Sequence, residues 1–113
     1  MRIAVTGQVG QVVTSLIERA PEGVTIIALG RPDLDLADSA TIAPAIAAAK
    51  PDVVVSAAAY TAVDKAESEA DLAHAINGAG AGAVAGAAHA LGVPVIHIST
   101  DYVFDGTKPA PYV

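Results

Sequence analysis

Arg2-Ile3-Ala4-Val5-Thr6-Gly7-Gln8-Val9-Gly10-Gln11 decides how the rest of the chain is read. Ile3 to Thr6 is a β-prone run of strand length that breaks at two glycines three residues apart. From Gln11 the apolar residues recur at helical spacing, with Val12, Leu16 and Ile17 on one side and Glu18-Arg19 on the other, until Pro21-Glu22-Gly23 ends the pattern. Strand, glycine turn and helix in immediate succession predict a parallel sheet whose first helix points its amides at a bound anion.

The same alternation continues outward. Val24 to Leu29 has strand length and ends at Gly30-Arg31-Pro32, and Asp33-Leu34-Asp35-Leu36 alternates polar and apolar residues as a short edge strand would. Asp38 or Ser39 caps a helix carrying Ile42, Ile46 and Ala49, with Pro44 expected in its first turn and Lys50-Pro51 at its end. Asp52 to Ala57 is the plainest strand. Two helical stretches follow, from about Lys65 to Asn77 and from about Ala79 to Leu91, where Gly92 stops the second. The Ala/Gly-rich tract Gly78 to Gly86 contains Val84 and no Ser, Pro or charge, which predicts a tightly packed helix instead of a linker. Val93 to Ser99 is the last strand. Strands alternating with helices of crossover length predict an α/β domain over residues 1–113: a Rossmann-type, doubly wound parallel sheet of about five strands in the order 3-2-1-4-5. The tail Lys108 to Val113 carries no folding signal and is expected to lead into further chain.

Composition agrees with a packed α/β core, since 53% of the 113 residues are hydrophobic and only 4% aromatic. A formal net charge of −6 argues against nucleic acid or acidic membrane surfaces as general partners. No apolar stretch approaches the roughly 20 residues of a membrane-spanning helix. The chain has no cysteine and no leader-like start, so a cytoplasmic location is expected and a Cys-based metal site is excluded. His74 and His89 have no ligand-spaced partner, and no metal site is expected.

Ligands of such a sheet bind beyond the carboxyl ends of the strands, where the strand order reverses. Three segments belong to that edge: Gly7 to Gly10, Ala57 to Thr61 and Ser99 to Asp101. Gly7 and Gly10 let backbone approach a pyrophosphate, although a plain tight turn uses glycine in the same way. Val13 stands where a third glycine would allow close contact between helix and strand. At the end of the second strand, Gly30-Arg31 replaces the usual carboxylate with a guanidinium, which favours a 2′-phosphate and hence NADPH over NADH, unless Arg31 is an ordinary solvated residue. Ser99-Thr100-Asp101-Tyr102 can hold a carbonyl oxygen or a sugar hydroxyl, but the same residue types also cap and bend chains. Tyr60, Asp64 and Lys65 carry the same ambiguity. His97, inside an apolar strand, reads as a core histidine.

Two longer strings resemble a known family. Ala58-Ala59-Tyr60-Thr61-Ala62-Val63-Asp64-Lys65-Ala66-Glu67 and His97-Ile98-Ser99-Thr100-Asp101-Tyr102-Val103-Phe104-Asp105-Gly106 resemble the dTDP-4-dehydrorhamnose reductases of the extended short-chain dehydrogenase/reductase superfamily, together with Lys50-Pro51-Asp52-Val53 and Asp33 to Asp35. The resemblance implies reduction of the 4-keto group of dTDP-4-dehydro-L-rhamnose, with NADPH, or NADH in its place, as hydride donor. It further implies Gly10, Gln11 and Val12 beside the pyrophosphate behind Gly7, Gly30 and Arg31 beside the adenosine ribose, and Asp35 and Leu36 beside the adenine. Ala59, Tyr60 and Thr61 would serve the nicotinamide side, Asn77 and Ile98 would also contact the cofactor, and Thr100 and Asp101 would contact the sugar. Thr100 is the matching catalytic residue. The family's Tyr-x-x-x-Lys pair has no counterpart in these residues, since Tyr102 is followed four later by Gly106 and Tyr112 only by Val113. The chain is therefore expected to be the N-terminal, cofactor-binding portion of a longer reductase, binding without turnover by itself. Other epimerases or dehydratases of the superfamily, and a non-catalytic nucleotide-binding module, are the competing readings. A homodimer is left open.

Overall fold

A computed structural model describes all residues from Met1 to Val113. Four strands, β1 (Arg2–Thr6), β2 (Thr25–Leu29), β3 (Val53–Ser56) and β4 (Val95–His97), form one sheet in the order β2-β1-β3-β4, every pair parallel. The chain leaves β1 through α1 (Gln11–Glu18) to β2, then returns through α2 (Ser39–Ala49) to β3 on the far side of β1. The order thus reverses between β1 and β3. Reversing direction with right-handed crossovers places successive helices on opposite faces of the sheet.

Strand alternation sorts the core accordingly. Val54 faces the α2 side with Ile42, Ile46, Val84, Ala87 and Ala88, whereas Val5 and Val55 face Val13 of α1. Val13 is 2% exposed, so α1 rests on the sheet through the position where a third glycine would stand. Val12 and Ile17, expected on the inner side, are exposed, because the inward direction is set by Val13 and Leu16.

The anticipated edge strand at Asp33 to Leu36 does not form. Leu34 and Leu36 instead turn into the α2 core, 3% and 8% exposed, while Leu34 N–H bonds the Gly30 carbonyl in a turn. Burial of two leucines from one short segment overrides its period-two pattern. Asp38 is the cap of α2, accepting from Ala40 N–H at 3.1 Å. Pro44 is the sixth residue of that helix, not in its first turn, and lies with Ala40 on the exposed face, where water can serve the freed carbonyl.

The long helical region is more broken than its periodicity suggests. It runs as α3 (Val63–Ala66), α4 (Ala70–His74), a π-helical turn (Ala75–Gly80) and α5 (Ala81–Leu91). Gly80 ends the π-helical turn. A Cβ there would overlap the Leu36 carbonyl oxygen and come within 3.0 Å of Leu36 Cβ, so backbone meets backbone. The small-residue tract is helical but packs on one side only: Gly80 and Val84 are buried, whereas Gly78, Gly82 and Gly86 are exposed with nothing within 4 Å of a Cβ position.

β4 pairs only with β3 and is an edge. Within residues 1–113, His97 is exposed with Val95 and Ile96 and not a core residue: strand burial needs a covering layer on each face, which the apolar pattern alone does not report. The tail also folds back. Tyr112 stacks on Phe104 with ring centroids 4.1 Å apart, and its hydroxyl donates to Asp105. No helix is long and apolar enough to cross a membrane.

Candidate functional site

A cleft of about 1000 Å³ opens at the carboxyl ends of β1, β2 and β3, over the point where the strand order reverses. Gly7, Gly10, Gln11, Val12, Gly30, Arg31, Asp35, Leu36, Ala59, Tyr60 and Thr61 all line it. Its size is at the upper end for small-molecule sites, as an extended ligand requires. A second groove of about 540 Å³, between α1 and β2, is lined mainly by aliphatic residues such as Ile3, Leu16 and Val24 and lacks the cleft's glycine turn.

The first wall is the glycine turn. Gly7 has φ +107°, a conformation that strongly favours glycine, and its N–H bonds the Leu29 carbonyl at 2.7 Å, joining the turn to the end of β2. Val13 adds a second reason, because its Cγ2 lies 3.3 Å from where a Gly7 Cβ would be. Gly10 is the N-cap of α1 and offers no side-chain acceptor, so the first amides of the helix stay available to an external anion. Nothing lies within 4 Å of a Gly10 Cβ position, which leaves room for a phosphate to approach. Together these features fit the diphosphate of a dinucleotide.

The second wall is the loop after β3, fixed from two sides. Thr6 Oγ1, almost fully buried, accepts from Ala57 N–H at 2.9 Å and Ala58 N–H at 3.0 Å. Asn77 brackets Tyr60, accepting from its N–H at 2.8 Å and donating to its carbonyl at 3.1 Å. The Tyr60 hydroxyl donates to Glu69. That hydrogen bond, then burial and repulsion by the Glu69 charge, raises the phenol's pKa and keeps it protonated.

Asn77 is not part of the cleft lining and shapes the site through Tyr60. Ile98, Thr100 and Asp101 also stand outside the lining. Ile98 N–H bonds the Ser56 carbonyl at 3.0 Å, which keeps the segment at the same sheet edge. Thr100 Oγ1 accepts from Tyr102 N–H at 3.0 Å and donates to Asp101 at 3.2 Å, capping a 3₁₀ turn (Asp101–Val103). Within residues 1–113 this is the turn chemistry that the residue types also allowed, and the hydroxyl is solvent-exposed. Thr6, Gln8 and Glu69 are contributors that pattern reading missed: each acts through one specific contact that no spacing rule announces.

Comparison with known proteins follows the same division. The model of the RmlD substrate binding domain family matches residues 1–113. The chain belongs to this family. A dTDP-4-dehydrorhamnose reductase from Sinorhizobium fredii is 59% identical over 112 residues, covering 99% of this chain and 38% of that protein. One from Burkholderia thailandensis is 47% identical over 113 residues, again with 38% of its length matched. Among solved structures, a dTDP-4-dehydrorhamnose reductase from Bacillus anthracis in complex with NADP superposes with a TM-score of 0.86 at 38% identity, covering 96% of this chain and 39% of that one. The chain thus spans about two fifths of the length of these relatives. As a family member it has the Rossmann-like parallel sheet of its neighbours, in a partial version.

Proposed function

We propose that the protein is an NADPH-dependent reductase of the 4-keto sugar nucleotide dTDP-4-dehydro-L-rhamnose, working in the cytoplasm, and that residues 1–113 supply the cofactor side of its site. The observation that carries this reading is the uncapped start of α1 behind Gly7 and Gly10, opening into the cleft that also holds Gly30 and Arg31. The reductases cited above support the choice of substrate.

In this reading Gly10, Gln11 and Val12 hold the pyrophosphate with backbone amides, which a flexible side-chain cap would block. Arg31 meets the 2′-phosphate. Asp35 and Leu36 border the adenine, and Ala59 to Thr61 form a wall for the nicotinamide. When bound, NADPH supplies the hydride that reduces the sugar carbonyl. Thr100 and Asp101 orient the sugar, and Thr100 is the residue of this segment nearest in role to the chemistry. A threonine hydroxyl is too weak an acid to protonate the product alkoxide alone, so proton transfer calls for a stronger donor. Residues 1–113 by themselves bind cofactor without turnover.

The test is NADPH oxidation on adding dTDP-4-dehydro-L-rhamnose, with dTDP-L-rhamnose identified as product. Turnover by the whole protein, and NADPH binding without turnover by residues 1–113, is the expected outcome. Loss of the first result removes the reductase reading, and full turnover by residues 1–113 removes the division of labour.

A further inference from the structure

Gly30 closes β2 at the place where a dinucleotide-binding sheet often presents a carboxylate to the ribose hydroxyls. The space a side chain would start from is not empty. A Cβ on Gly30 would lie 2.7 Å from Gln8 Cγ, 3.0 Å from Gln8 Cδ and 3.5 Å from Gln8 Nε2. The Gln8 side chain therefore crosses from the glycine turn to the end of β2 and sets its carboxamide over Gly30, beside the start of the Arg31 loop. Both residues line the cleft. Gly30 has no strained φ of its own, so its lack of a Cβ matters here chiefly as space for Gln8.

The substitution reverses the chemistry of this corner. A carboxylate there accepts hydrogen bonds from ribose hydroxyls and repels a phosphate. A carboxamide NH2 donates to phosphate oxygens, and hydrogen bonds to a charged acceptor are stronger than those to a neutral one. The one carboxylate of the lining, Asp35, accepts from Ala37 N–H in its own loop at 2.9 Å.

We infer that Gln8 is a specificity residue for the adenosine 2′-phosphate, and that Gly30 is the partner position that lets its side chain lie in place. This rests on the dinucleotide reading above and adds a coupled pair to it. Gln8 is exposed and makes no hydrogen bond within the protein, so its replacement removes no structural tie.

The experiment is calorimetric titration of NADP+ and NAD+ into the wild type, Gln8→Ala, Gly30→Ala and the double variant. Gln8→Ala should weaken NADP+ by about 10- to 100-fold, the value of one hydrogen bond to a charged group, and NAD+ by less than about twofold. Gly30→Ala should act in the same direction, because its Cβ displaces the Gln8 side chain. The double variant should be no weaker than Gln8→Ala, since both changes remove one contact. Gln8→Glu, which needs no change at Gly30, should shift preference further toward NAD+ by placing a like charge beside the phosphate. Equal losses for both dinucleotides, no loss, or additive losses would overturn the assignment of Gln8. A wild type that binds neither dinucleotide would overturn the cofactor reading itself, a result distinct from a wild type that binds both with a ratio unaffected by Gln8→Ala.

Discussion

Asn77 holds Tyr60 by both of its backbone polar groups, with the Tyr60 N–H 2.8 Å from Oδ1 and the Tyr60 carbonyl 3.1 Å from Nδ2. A residue on the π-helical turn thereby shapes a wall of the cleft without lining it. Asn77→Ala should cost little stability, about 1 kcal/mol, because water can replace exposed hydrogen bonds. It should nevertheless weaken NADP+ binding several-fold and speed amide exchange at Ala59 to Thr61 in the cofactor-free protein. Asn77→Asp keeps the acceptor and loses the donor, and should fall between. Unchanged exchange in Asn77→Ala, measured by NMR, would deny the residue this positioning role.

Thr6 anchors the other side of the same loop from inside the sheet. Replacing its hydroxyl with a methyl group in Thr6→Val keeps the shape and strips a shared acceptor from Ala57 and Ala58 N–H. Two part-buried donors left unpaired should cost about 2 kcal/mol or more, read as a lower urea midpoint at constant slope.

Glycines of the Ala/Gly-rich tract should separate by position. Gly80→Ala drives a methyl group into the Leu36 backbone and should destabilise by about 1–3 kcal/mol. The displaced loop carries Asp35, so cofactor affinity should fall with it. Gly86→Ala meets nothing within 4 Å in the middle of α5 and should instead stabilise by about 0.5–1 kcal/mol. Equal effects at the two sites, in thermal or urea unfolding, would remove the close-approach account.

The Asp105 turn should respond to acid. Thr107 N–H and the hydroxyls of Thr107 and Tyr112 all donate to Asp105 Oδ1, which holds this carboxyl below the usual aspartate range. A lowered folded-state pKa means the turn's extra stability is full above the ordinary carboxylate pKa and disappears as pH falls through the depressed value. Carbon-detected NMR titration should show Asp105 protonating below the ordinary aspartate range, and Thr107→Val should move it back toward normal. No movement in that variant would assign the shift elsewhere.

The sheet was legible because its signals are local. Ile3 to Thr6 followed by Gly7 and Gly10 marks strand, turn and helix within ten residues, and Val53 to Val55 needs no context to read as a buried strand. Asp33 to Leu36 misled because a four-residue alternation fits an edge strand and a loop with two inward leucines equally well, and only the α2 core decides between them. His97 misled for the opposite reason, since its apolar neighbours report a strand but not what covers it. The cleft's glycines and Arg31 were visible as residue types at the right strand ends. The contacts of Gln8 over Gly30, Thr6 under Ala57 and Asn77 around Tyr60 join positions 17 to 51 residues apart, beyond any periodicity.

The place where a dinucleotide sits decides the function of this cleft. Titrating NADP+ into isotopically labelled protein and following the amide NMR signals measures this directly. Shifts should concentrate at Gly7, Gly10 to Val12, Gly30, Arg31 and Ala59 to Thr61. Silence at those amides, or shifts confined to Ile3, Leu16 and Val24 in the groove between α1 and β2, would contradict it.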